Sequence, residues 1–105
     1  MRTDPFAVVL TRHARQDLLA APGLRSRIAR ALMTLEDRHE RGHRLSGRLA
    51  ACRSLVVSHS HGGYRAVYTV EPLRRVCVVF AIGPHATVYE VAERRYPPPA
   101  VEGDV

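Results

Sequence analysis

The chain has 105 residues, 46% of them apolar, a formal charge of +6 and two cysteines. That length supports one domain, and that composition excludes a disordered chain. No apolar run approaches the ~18 residues of a membrane span, and two thiols are too few for a disulfide framework.

The charge is unevenly placed. All 16 basic residues are arginine, and no carboxylate lies between Glu40 and Glu71. That window holds Arg41, Arg44, Arg48, Arg53 and Arg65, with His43, His59 and His61. Clustered basic residues attract polyanions, and guanidinium suits phosphate. A solvated basic surface is the plainer alternative. The first apolar stretch, Phe6 to Leu10, is too short for a signal peptide, so a cytoplasmic protein with reduced Cys52 and Cys77 is expected.

In chain order, Phe6 to Leu10 predicts a short buried strand, and Thr11 can cap a helix carrying Ala14, Leu18 and Ala21 on one stripe. Pro22-Gly23 breaks the chain. A longer helix follows, with Leu24, Ile28, Ala31, Leu32 and Leu35 on one face. Arg38, His39 and Arg41 are expected in its last turn, and Gly42 as its C-terminal cap. The two helices should form an antiparallel hairpin.

His43 to Arg48 reads as a polar basic loop. Strands are expected over Arg53 to Ser58, Tyr64 to Val70 and Val76 to Ile82. Along the second of these, Tyr64, Ala66, Tyr68 and Val70 share one face, which leaves Arg65 on the other. Residues 86 to 95 form either a short helix or a strand end with a helical turn. The expected domain is 1–96, followed by a disordered proline-rich tail at 97–105. The order predicts an α+β fold. An N-terminal strand and a two-helix hairpin pack on a mainly antiparallel four-stranded sheet, with a short C-terminal element.

Leu45-Ser46-Gly47, Gly63-Tyr64-Arg65-Ala66-Val67-Tyr68, Val78-Val79-Phe80-Ala81-Ile82-Gly83 and Val88-Tyr89 follow one another in this order. Over residues 6 to 95 this set resembles the RelE/ParE superfamily of toxins, with the RelE-like branch favoured. The resemblance implies a type II toxin–antitoxin toxin that enters the ribosomal A site and cuts messenger RNA. The RNA's 2′-hydroxyl would attack the adjacent phosphate, with no metal or other cofactor. Implied partners are the ribosome, its message and a cognate antitoxin with an amphipathic, acidic segment. DNA would be met only through the antitoxin complex. ParE-like members instead poison DNA gyrase without cutting RNA, and an inactive nucleic-acid-binding relative is a third reading.

Such a reaction needs a base, a cation at the phosphate and a proton donor. Arg65 matches the family's arginine in the Tyr-Arg motif and is assigned as phosphate clamp; the alternative is a surface arginine paired with Glu71. His85 stands two residues after Gly83, where ribonuclease members place arginine or histidine, and either transfers a proton or caps the strand end. Tyr89 matches the family's C-terminal tyrosine, and either stacks on a base or packs on the sheet. Where RelE-like members often carry lysines, this chain has Ser54 and Val56. His59 and His61 would then supply the base. Two histidines without a carboxylate or thiol nearby make a poor metal site. Arg44, Arg48 and Arg53 are assigned to RNA-backbone contacts, with a solvated loop as the alternative.

Overall fold

The computed structural model describes residues 4–60 and 62–99. The chain runs β1 (Ala7–Leu10), α1 (Arg12–Leu19), α2 (Arg25–Met33), β2 (His43–Arg44), β3 (Cys52–Ser58), β4 (Tyr64–Glu71), β5 (Val76–Pro84) and α3 (Val88–Arg95). The sheet order is β1-β5-β4-β3-β2. Only the β1–β5 pair is parallel. The fold is therefore the expected α+β arrangement, with a fifth strand. His43–Arg44 is too short to show a period in sequence, yet it pairs with Arg53 and Ser54 at the sheet edge.

Helices α1 and α2 cover one face. Thr11 caps α1 by accepting from the Ala14 N–H at 3.2 Å. Ala14, Ala21, Leu24, Ile28, Leu32 and Leu35 pack there on Leu55, Val57, Ala66, Tyr68, Cys77 and Val79. The predicted stripes are thus the core. Helix α2 ends earlier than its expected last turn. The Thr34 hydroxyl donates to the Ala31 carbonyl at 2.6 Å, and a 3-10 turn at Thr34–Glu36 follows. Beyond buried Leu35 no apolar residue remains to hold a further helical turn, so Arg38, His39 and Arg41 lie in the connection to β2.

Gly42 is not a helix cap. A Cβ there would lie 2.8 Å from the Ser54 carbonyl oxygen and from the Tyr68 ring. Only glycine lets the chain pass so close. The Tyr68 hydroxyl uses that approach: it accepts from the Gly42 N–H at 2.9 Å and donates to the His39 carbonyl at 2.8 Å. One buried phenol thereby anchors the connection into β2.

The second face of the sheet carries its own core. Leu49, Cys52, Val67, Phe80, Ala81, Val88 and Ala92 pack together beneath α3. Strand β5 serves both cores through a bulge. Val67 pairs with Ala81 but Tyr68 pairs with Val79, which leaves Phe80 as the extra residue. Val79 and Ile82 therefore join the α1/α2 core, while adjacent Phe80 and Ala81 both turn to α3. The C-terminal element is a helix, which resolves the two alternatives left by its sequence. Of the expected tail at 97–105, residues 100–105 lie outside the described residues.

Candidate functional site at the α3 face of the sheet

Strand alternation places Arg65 as the sequence parity predicted. Tyr64, Ala66, Tyr68 and Val70 face α1 and α2, and Val67 packs under α3. Arg65 shares the Val67 side. Its register neighbours are Val56 on β3 and Gly83 on β5. Glu71, the alternative partner, lies 3.4 Å from Arg74 instead.

The Arg65 side chain runs along the β3–β4 turn. Its Nη1 lies 3.1 Å from where a Cβ on Gly63 would stand, and that point is 4.0 Å from the His85 Cβ. Gly63 has a φ of +89°, a left-handed conformation that glycine tolerates best. Its carbonyl accepts from the His85 N–H at 2.9 Å. One glycine thus gives Arg65 room and ties His85 beside it. The Arg65 Nε is buried and has no hydrogen-bond partner among the described residues. A buried, unsatisfied donor on a cation is costly unless something binds there.

Helix α3 completes the corner. Buried Val88 sits 3.8 Å from the Cβ position of Gly83, which sets the start of the helix on β5. The Tyr89 ring meets His85 edge-on, with centroids 5.6 Å apart. Its hydroxyl shares a 2.9 Å hydrogen bond with Ser54 Oγ. Ser54 is 1% exposed and holds the tyrosine. Val56, in register beside Arg65, brings neither charge nor proton acceptor.

In sequence His43 belongs only to the basic window. In the two-residue β2 it pairs with Ser54, so its side chain lies on the Ser54 side of the sheet, and it is exposed. The signal that would have found it is a register two strands away, which no local pattern carries. His43 and His85 stand at opposite ends of this surface, separated by β3 and β4.

The remaining sequence-assigned residues scatter. His59 is exposed in the turn after β3, and His61 lies outside the described residues. Arg48 is exposed, and its Nε donates to the Glu93 carbonyl at 3.4 Å, one turn along α3 from Tyr89. Arg53 faces the other way. It donates to the carbonyls of Gly42 at 2.7 Å and Glu40 at 3.2 Å, and lies 3.7 Å from the Glu40 carboxylate. Arg44 pairs with Arg53 in register and shares its side. Both line a cleft of about 420 Å3 at the β2 edge, away from Arg65. The structure thus brings together Arg65, His85 and Tyr89, and sets Arg44 and Arg53 apart from them. Among the described residues, no three histidine, cysteine or acidic side chains converge as a metal site.

The chain aligns with a double mutant of Escherichia coli RelE in its free state, with a TM-score of 0.70 over 88% of this chain and 98% of that one. The fold is that of RelE. Sequence identity to that RelE is 23%. The toxin–antitoxin complex RelBE2 of Mycobacterium tuberculosis matches at 23% identity and a TM-score of 0.65, over 77% of this chain and 99% of that one. A YoeB/ParE toxin from Agrobacterium tumefaciens matches at 17% and 0.64, over 76% and 99%. No family profile and no curated protein matches the sequence. At these identities the likeness to RelE carries the fold and leaves the activity to the site. No helix among the described residues is long and apolar enough to cross a membrane.

Proposed function

We propose that this chain is the toxin of a type II toxin–antitoxin pair and cuts messenger RNA on the ribosome without a metal. The observation that carries this reading is the Arg65 guanidinium, its Nε buried and without a partner among the described residues, at one corner with His85 and Tyr89. A planar cation with an unpartnered donor suits a phosphate whose charge grows in the transition state. Tyr89, oriented by Ser54, offers a hydroxyl and an aromatic face for an unstacked base.

In-line attack needs proton acceptor and donor on opposite sides of the phosphate. His85, beside Arg65 and Tyr89, is the candidate for one of these roles, and His43, exposed at the β2 edge of the same face, is the candidate for the other. The 2′-hydroxyl gives its proton to one, forms the new O–P bond, and the departing 5′-oxygen takes a proton from the other. The inhibitory partner is an antitoxin with an acidic, amphipathic segment, and DNA is contacted only through that complex. This rests on the basic window between Glu40 and Glu71 and on RelE-like folds solved as RelE–RelB complexes.

One observation favours a second reading, a gyrase inhibitor without nuclease chemistry. Val56 stands beside Arg65 in register, so β3 supplies neither base nor cation at that point.

Adding the protein to a cell-free translation reaction and mapping message ends by primer extension tests the choice. New ends at A-site codons, absent with Arg65→Ala and absent on ribosome-free RNA, support the nuclease. Intact message together with blocked DNA supercoiling by gyrase supports the inhibitor.

A further inference from the structure

Among the described residues, the outer edge of β5 beyond Val79 has no strand neighbour, because β1 ends at Leu10 opposite Val79. Two groups on that edge are satisfied by side chains instead. Asp17, on α1, accepts from the Ile82 N–H at 2.9 Å through Oδ2. Arg95, in the last turn of α3, donates to the Phe80 carbonyl at 3.0 Å. The two side chains also grip each other: Arg95 Nη1 lies 2.7 Å from Asp17 Oδ2, and Nη2 lies 3.2 Å from Oδ1. Both are largely shielded from solvent, at 22% and 19% side-chain exposure.

A forked guanidinium–carboxylate pair fixes orientation as well as distance. Helix α3 is therefore held at both ends, by Val88 on Gly83 and by Arg95 on Asp17 and Phe80. Tyr89 lies between these anchors, about 9 Å along the axis from Arg95 at 1.5 Å per residue. Without the distal anchor the C-terminal half of α3 keeps only Ala92 and the Arg48–Glu93 contact, which fix its tilt less tightly, and a change of tilt moves the Tyr89 ring that projects from the helix.

We infer that Asp17 is a positioning residue: through its fork with Arg95 it fixes the pose of α3, and so of Tyr89, from the opposite side of the molecule. The inference rests on the nuclease reading for its kinetic effect but not for its structural one. Misplacement of a reacting group by about 1 Å can lower a rate by up to two orders of magnitude.

The test compares Asp17→Asn, Arg95→Gln and the double variant with Thr11→Ala, which weakens α1 at its cap without touching α3. Arg95→Lys keeps the charge and loses the fork, and serves if the stronger variants fold poorly. Cleavage rate is measured at saturating ribosomes, alongside the ribosome concentration giving half-maximal rate. Fluorine NMR of protein labelled with 3-fluorotyrosine follows Tyr89, its resonance assigned by its loss in Tyr89→Phe. Each single variant is expected to cut about tenfold more slowly with unchanged half-saturation. The double variant should be no slower than either, and the Tyr89 resonance should move in all but Thr11→Ala. A Tyr89 resonance unmoved in every Asp17 and Arg95 variant overturns the inference. So does an equal rate loss in Thr11→Ala. If the unsubstituted protein cuts no message, the nuclease reading fails by itself and the resonance alone decides the positioning.

Discussion

Ser54 and Tyr89 share a 2.9 Å hydrogen bond between the sheet and the C-terminal helix, and the two partners are unequally buried. Ser54 is almost wholly enclosed, whereas Tyr89 is partly exposed. That inequality makes the bond's two halves differ in cost.

Ser54→Ala leaves a phenol that can turn to water, so the expected loss is about 1 kcal/mol. Tyr89→Phe leaves the enclosed Ser54 hydroxyl without its partner, with an expected loss of about 1 to 3 kcal/mol. Urea denaturation of both variants checks the order. Equal losses would mean that Ser54 finds another partner.

Three glycines should respond differently to alanine. Gly23 has open space around its Cβ position, and Gly23→Ala is expected within about 0.5 kcal/mol of the parent. Gly42→Ala forces a methyl against the Tyr68 ring and the Ser54 carbonyl, so a loss of about 1 to 3 kcal/mol is expected. Gly63→Ala strains a backbone at φ +89° and crowds Arg65, costing about 1 to 2 kcal/mol. Of the three, only Gly63→Ala should also reduce message cleavage toward the level of Arg65→Ala. Thermal melts and the primer-extension assay separate the three.

Burial pushes the Cys52 and Cys77 thiols from an ordinary 9.0 up to about 11. The native state therefore holds protons that the unfolded chain releases first. The stability this represents is complete below pH 9 and is lost as pH rises through 11. Its size is on the order of 2 to 3 kcal/mol for each thiol. Burial raises the Tyr68 phenol in the same sense. Denaturation midpoints are expected to fall across pH 9 to 11, less steeply in a Cys52→Ala, Cys77→Ala double variant. At pH 8 both thiols should resist a disulfide-exchange reagent until the chain unfolds. A flat alkaline profile would contradict this assignment.

The helices and long strands were legible because their apolar residues repeat at 3.6 and 2. Ile28, Leu32 and Leu35 declare one core, and the Tyr64-to-Val70 alternation places Arg65 on the other face. What stayed hidden depends on pairing across distance. His43 acquires its place from Ser54, Arg53 turns away through contacts with Glu40 and Gly42, and Asp17 meets Arg95 across the fold. The bulge at Phe80 was hidden for a different reason: in an all-apolar run, a change of face leaves no mark in the sequence.

The parallel pairing of Ala7–Leu10 with Val76–Val79 joins two segments nearly seventy residues apart, and α3 docks on the strand so completed. Contacts of that span form only after the intervening chain has been made. During synthesis, Arg65 would emerge before the strand and helix that enclose it. The corner holding Arg65, His85 and Tyr89 therefore cannot close until both β5 and α3 have been made.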